Sequence, residues 1–141
     1  ASGLPPHPFP AKGPMLDKVP LVARILLGLI FMASAIAKLT GAVPPPEGEA
    51  AQQFMMTLVN TGLMTVIMLV ELVGGLALIT GFFAPLALMV LAPVTLVIAW
   101  YHLVLDPMGI PVGVLLIALS LAAAHGYRNL YLPIMQPRTS L

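Results

Sequence analysis

The stretch LMTVIMLVELVGGLALI, Leu63 to Ile79, decides the fold of this chain. It is apolar apart from one carboxylate near its middle, Glu71, and a glycine pair that follows three and four residues later on the same helical face. A charged group at mid-membrane depth costs roughly 2.5 to 3.5 kcal/mol on insertion scales, so we expect Glu71 to face protein or water and to have a partner. The glycines would let a second helix approach closely.

The composition of the chain agrees with this interpretation. Of 141 residues, 60% are hydrophobic and 8% are charged, and the mean hydropathy is +1.03, which is too apolar for a soluble domain of this size. The sequence therefore predicts an integral membrane protein whose first partner is the lipid bilayer. A net charge of +1 provides no basic surface for nucleic acid.

Cysteine is absent from the sequence. Disulfides, thiolate metal sites and thiol redox relays are therefore excluded. A redox role would need a bound cofactor or a neighbouring subunit.

Four apolar runs are long enough to cross a hydrocarbon core of about 30 Å, which takes about 20 helical residues. The sequence thus predicts an all-α, integral membrane four-helix bundle. The loop 40–49 contains Pro44, Pro45 and Pro46 and must face water, because irregular backbone is not satisfied in lipid. Residues 50–59 follow as a short amphipathic helix suited to the membrane interface. The predicted spans are residues 19–39, 62–82, 86–102 and 112–130.

The chain is predicted to form one domain with two tails. Residues 1–18 contain five prolines, which forbid a continuous helix and favour an extended arm. Residues 19–134 form the four-helix transmembrane domain, and residues 135–141 form a C-terminal tail. Four spans put both termini on one side, where most of the basic residues also fall, so the positive-inside rule places both termini in the cytoplasm of a bacterial or archaeal inner membrane.

Several motifs resemble those of the DoxX family. They are Arg24-Ile-Leu-Leu-Gly28-Leu-Ile-Phe31 with Lys38-Leu39, then Glu71-Leu-Val-Gly74-Gly75 leading to Gly81-Phe-Phe-Ala-Pro85, then Tyr101-His102-Leu and Tyr127-Arg128. The resemblance covers about residues 19 to 134. It implies a small four-helix membrane protein, sometimes associated with quinone-linked oxidation, as in the membrane subunits of thiosulfate:quinone oxidoreductase. Some related proteins carry a thiol pair, and its absence here argues against thiol transfer.

One face of the first span carries both of its charges, because Arg24, Gly28, Phe31, Ala35 and Lys38 follow one another at helical spacing. Depth along the helices predicts that Arg24 reaches toward Glu71, with His125 as a third member of a buried polar cluster. We favour a structural ion pair that fixes the first span against the second. A proton-accepting carboxylate beside a quinone is the functional alternative, and ion or substrate passage is a third.

A second polar cluster is expected on the outer side, where Lys38, His102 and Asp106 gather near Trp100 and Tyr101. The favoured interpretation is a lysine that snorkels outward beside an aromatic belt, and the alternative is a site for a quinone headgroup or a docking partner. Close helix packing is predicted for Gly28, Gly74 and Gly75.

No metal or haem is predicted. His102 and His125 lie at opposite depths, so they cannot share a metal ion. No cofactor is expected to bind directly, with a quinone as the one ligand left open.

Two functions are consistent with the sequence. The first is an accessory or structural subunit of a larger membrane electron-transfer complex, with other subunits as partners. The second is the membrane subunit of a quinone-reducing oxidoreductase that uses Glu71 and Arg24 near the quinone. Whether the chain is itself an enzyme stays open. A transporter is a weaker third hypothesis, because no broken-helix repeat supports one.

Overall fold

The computed structural model describes Gly3 and residues 16–137. This part of the chain is helical and contains no strand, so the predicted all-α fold is confirmed. Most of the predicted arm, and residues 138–141 of the predicted tail, lie outside the described residues. The helices are α1 (Val19–Thr40), α2 (Glu49–Asn60), α3 (Leu63–Thr80), α4 (Ala84–Val104), α5 (Ile110–Gly126) and α6 (Arg128–Tyr131), with short 3-10 turns at Leu16–Lys18 and Pro107–Gly109.

Among the described residues, four helical segments are long and apolar enough to cross a bilayer: α1, α3, α4 and the segment Pro107–Gly126 that contains α5. The protein is therefore an integral membrane protein with four spanning helices. The predicted short helix between the first two spans is also confirmed, as α2.

The spanning helices form a closed ring in which α1 packs against α3 and α5, and α4 packs against the same two helices. Because successive spans reverse direction, the bundle has two distinct ends. We call the end that carries residues 41–62 and 105–109 the α2 end. The opposite end, with the start of α1, the turn 81–83 and α6, is the α6 end.

The apolar core lies mainly toward the α6 end. In α1 it occupies the first half of the helix, in α3 the last turns, and in α4 the first two turns after the hairpin. These buried residues contact one another as a single cluster: Ala23, Leu27, Phe31, Leu78, Ala84, Ala87, Leu88, Leu91, Leu116 and Ala123. Few residues of the α2 half belong to it, which leaves room there between the helices.

Helix α4 continues through Pro93 despite the missing N–H of that residue. Two residues later, the buried Thr95 hydroxyl donates a hydrogen bond of 3.0 Å to the carbonyl oxygen of Leu91. This bond satisfies polar groups that lipid could not satisfy, at the level where α3 and α4 begin to line open space.

Candidate functional site

Glu71 and Lys38 form an ion pair inside the bundle. The Lys38 ammonium donates to both carboxylate oxygens of Glu71, each at a distance of 2.6 Å. The Glu71 side chain is fully buried, whereas that of Lys38 keeps 17% of its surface exposed. The hydroxyl of Ser34, one turn before Lys38, donates a longer bond of 3.4 Å to Glu71 Oε2. The charge at mid-membrane depth therefore has a cationic partner and a neutral donor on α1.

The level at which α1 and α3 cross brings this pair together. The two helices touch at Gly28 and Gly75. At about 1.5 Å per residue, Lys38 lies about 15 Å and Glu71 about 6 Å beyond this contact toward the α2 end, an offset of about 9 Å. Side chains on a helix tilt toward its N-terminus, so Lys38 leans back toward the bundle centre while Glu71, on the antiparallel helix, leans toward the α2 end. The two tilts close the offset.

Arg24 makes a different contact from the one that its sequence position suggested. The same tilt directs its side chain toward the α6 end, away from Glu71. Its guanidinium donates a hydrogen bond of 2.9 Å to the hydroxyl of Tyr127 and lies beside Gly81, where α3 ends. Its Nε atom is buried and has no hydrogen-bond partner among the described residues.

His125 is exposed at the last turn of α5. The structure thus does not bring the predicted cluster of Arg24, Glu71 and His125 together. Lys38 replaces Arg24 as the partner of Glu71, so this lysine turns inward instead of snorkelling to the surface.

Tyrosines tie the α6 end together. Besides Tyr127, Tyr131 of α6 donates a hydrogen bond of 2.7 Å to the carbonyl oxygen of Pro85 at the start of α4. Burial raises the pKa of Tyr131, and its neighbour Tyr127 raises it further. The hydroxyl of Tyr131 therefore stays protonated at neutral pH and remains a donor.

The α2 end instead contains a cavity of about 1000 Å³. This volume is at the upper end of the range for ligand sites, which are typically about 300 to 1000 Å³. Its walls come from the last turns of α1, the proline loop, α2, the first turns of α3 and the second half of α4. The residues that line it include Ser34, Lys38, Pro45, Phe54, Met55, Leu58, Leu63, Met64, Ile67, Pro93, Val94, Val97, Ile98, Trp100, Tyr101, His102 and Asp106.

The cavity has one polar wall. Lys38, His102 and Asp106, predicted as the outer-side cluster, all line it. The His102 ring nitrogen Nδ1 lies 3.2 Å from Asp106 Oδ2, and the ring packs directly on Gly109. Glu47 of the proline loop also lines the cavity, and most of the remaining lining is apolar, from Met55 on α2 to Ile98 on α4. A ligand that combines a polar head with an apolar body matches this division.

Aromatic rings form the outer rim. Phe54 on α2 packs against Trp100 and Tyr101 on α4, with ring centroids 6.0 and 5.7 Å apart. Sequence reasoning placed Trp100 and Tyr101 in an aromatic belt, but it did not connect them to Phe54. It also missed Ser34, although the spacing of four residues between Ser34 and Lys38 places both on one face of α1.

The three glycines predicted to pack closely lie where helices meet. A Cβ atom on Gly28 would come within 2.7 Å of the carbonyl oxygen of Gly75, and one on Gly75 within 2.9 Å of the carbonyl oxygen of Gly28. At Gly74 the nearest atoms would belong to the Leu91 side chain, at 2.8 Å. The first contact sets the crossing of α1 on α3, and the second closes α3 on α4.

Among residues 16–137, no three acidic or histidine side chains gather in a group that could hold a metal ion. His102 and Asp106 are only a pair. That the protein binds no metal or haem stays a prediction.

Comparison with known proteins gives one match. The DoxX family model matches residues 19–103, which include the α1–α3 crossing, the Lys38–Glu71 pair and the cavity wall up to His102. No curated protein and no solved structure matches the chain. The matched segment covers more than half of the sequence and contains α1, α2, α3 and nearly all of α4. The chain belongs to the DoxX family.

Proposed function

We propose that this protein is the membrane subunit of a quinone-linked electron-transfer complex and that it binds the quinone in the cavity at the α2 end. The observation that carries the proposal is the cavity of about 1000 Å³ whose wall includes Lys38, the partner of the buried Glu71. Of the two functions considered from the sequence, the one that uses a ligand is favoured, because a subunit that only fills or orients a complex has no need of such a space.

The lining of the cavity fits the chemistry of a quinone. A quinone has a flat ring with two carbonyl oxygens that accept hydrogen bonds, and usually an apolar tail. Lys38 has three N–H donors and directs bonds to the two oxygens of Glu71, which leaves one for a ligand in the cavity that Lys38 lines. Tyr101 and His102 line the same cavity and add further donors. The apolar wall suits the ring and tail.

The polar wall could also provide protons. Reduction of a quinone adds two electrons and two protons, one proton to each carbonyl oxygen. Two acid–base pairs line or adjoin the cavity, Lys38 with Glu71 and His102 with Asp106, and each can donate a proton and regain it from water at the α2 end. The electrons would come from a redox centre on a partner subunit, because the chain has no cysteine to serve as a thiol donor.

Binding can be tested with the single tryptophan of the chain. Trp100 lies in the cavity lining, so a bound quinone should quench its fluorescence. We expect saturable quenching when the purified protein in lipid nanodiscs is titrated with a decyl-substituted benzoquinone. The double variant Lys38→Met/Glu71→Gln removes the Lys38 cation and also neutralises Glu71, so that no buried carboxylate is left unpaired. This variant should bind the quinone about tenfold more weakly, because about 1.4 kcal/mol of hydrogen bonding to the ligand is lost.

The matched control is His125→Gln, a polar change at the opposite end of the bundle. It should bind the quinone like the wild type. Linear quenching of the wild type that does not saturate, equal in all three proteins, would mean that the quinone only partitions into lipid, and the proposal would be rejected.

A further inference from the structure

We infer that the cavity takes its ligand sideways from the bilayer, through a gap between α3 and α4 at the α2 end, and that it therefore selects a ligand whose apolar tail stays in lipid. The inference rests on the proposed function, which identifies the polar head of the ligand as a quinone ring. The packing of α3 and α4 determines the entry route and the position of the tail.

The α3–α4 hairpin is closed at the α6 end. Leu91 of α4 fills the space beside Gly74 so closely that a Cβ on that glycine would lie 2.8 Å from the leucine side chain. Nearer the turn, Leu78 and Leu88 are both buried in the core. A groove of about 470 Å³ lies between α3 and α4 at this level, but it shares no lining residue with the cavity at the α2 end.

Beyond Leu91 the two helices line open space. Pro93 is the first α4 residue in the cavity wall, and Val94 and Val97 follow it. Opposite them, Leu63 and Ile67 of α3 line the same cavity. In this half α4 packs instead on α5, where a Cβ on Gly113 would lie 3.1 Å from the Cα of Ala99. Close packing on α5 therefore accompanies separation from α3.

The edges of this gap are in contact with lipid. Leu63 and Val97 line the cavity, yet they expose 47% and 45% of their surface. Both residues belong to membrane-spanning helices, so we infer that the part of their exposed surface that does not line the cavity faces hydrocarbon. A residue that borders a cavity on one side and lipid on the other marks a lateral opening.

Helix α2 covers the gap on the water side. It leads directly into α3 at its C-terminal end, and its Phe54 packs on the aromatic rings of α4. Three prolines of the preceding loop, Pro44 to Pro46, complete this cover. A long apolar tail would meet water by leaving through this cover, whereas the gap between α3 and α4 leads it into lipid.

The experiment narrows the gap without touching the polar wall. The variant Leu63→Phe/Val97→Phe adds bulk at both edges, and Leu96→Phe is the matched control, because Leu96 is 64% exposed on the same helix and is absent from the lining of the cavity. Trp100 fluorescence is titrated with two probes, decyl-substituted benzoquinone and the tail-less tetramethyl-benzoquinone. We expect the narrowed variant to lose at least tenfold in affinity for the decyl probe and to stay within twofold for the tail-less probe.

The outcomes separate the two claims. If the wild type binds neither probe, the proposed function fails. If the wild type binds the decyl probe and the narrowed variant binds it as well as Leu96→Phe does, the lateral route is wrong while the binding site stands. Equal weakening for both probes would show that the substitutions deform the cavity instead of obstructing a tail, and it would also overturn the lateral route. If the tail-less probe does not bind the wild type, the lateral route is tested by the decyl probe alone: the narrowed variant must bind it at least tenfold more weakly than Leu96→Phe does.

Discussion

The two halves of the bundle use the same four helices for different purposes. Toward the α6 end, leucine, alanine and glycine fill the space between helices, and the polar groups of Arg24, Tyr127 and Tyr131 tie the ends together. Toward the α2 end, the helices enclose about 1000 Å³ beside a buried ion pair. In lipid, helices associate through close packing and polar contacts, because hydrocarbon already surrounds their apolar surface. The close-packed half can therefore hold the bundle together while the other half stays open for a ligand.

The largest effect is expected at the boundary between the halves. Glu71→Leu leaves the Lys38 ammonium without its partner, which should lower the free energy of unfolding by about 3 to 5 kcal/mol, the usual cost of breaking a buried pair. Lys38→Met/Glu71→Leu should recover at least half of that loss. The measurement is unfolding by sodium dodecyl sulfate in mixed micelles. A double variant as unstable as Glu71→Leu alone would show that the two residues do not act as a pair.

The difference in packing can be tested by removing a side chain from each half. Leu78 is fully buried, and Leu78→Ala should cost about 2 to 3 kcal/mol, at the low end for such changes because an unfolded helix still meets lipid. Ile67→Ala, which enlarges an existing cavity, should cost about 1 kcal/mol or less, because fewer contacts are lost. The same unfolding assay compares them, and equal costs would contradict the division of the bundle.

The two glycine contacts differ in what a methyl group would strike. Gly28→Ala would meet the backbone of α3, which cannot move without separating the helices, so we expect a cost of about 1 to 3 kcal/mol. Gly74→Ala would meet Cδ1 and Cγ of the Leu91 side chain, which can shift more easily than a backbone, so we expect a smaller cost of about 1 kcal/mol. Thermal unfolding midpoints in detergent would rank the two variants, and the reverse order would place the closer helix contact at α3 and α4.

The smallest effect is expected at the α6 end. Tyr127→Phe removes the acceptor of the Arg24 hydrogen bond, and it should cost about 1 kcal/mol because the partly exposed guanidinium can find water or lipid headgroups instead. Quinone binding, measured by Trp100 fluorescence, should not change, because Tyr127 lies at the end opposite the cavity. A loss of binding would show that the two halves are coupled.

The sequence predicted the elements of the fold well because each has a local signal. Runs of about 20 apolar residues identify the spans, and the prolines of loop 40–49 with the amphipathic pattern after them identify α2. The face of α1 that carries Gly28, Phe31 and Ala35 also follows from helical spacing, and these three residues are buried.

The partner of Glu71 could not be predicted in the same way. Arg24 and Lys38 lie on the same face of α1 and at comparable distances from the level of Glu71, about 12 and 9 Å along the axis. Depth counted from the helix ends favoured Arg24, because the level at which α1 crosses α3 does not follow from the sequence. The direction of side-chain tilt reverses that choice, and its effect depends on where α1 crosses α3.

What the sequence alone determined is that four apolar helices must cross a bilayer and that Glu71 must have a partner there, because both follow from the cost of placing backbone and charge in hydrocarbon. What only the tertiary structure decided is the level at which the helices meet. The contact between Gly28 and Gly75 sets that level, and with it the pairing of Glu71 with Lys38. The close packing of Leu91 on Gly74 and of Gly113 on Ala99 sets where α3 and α4 part to form the cavity.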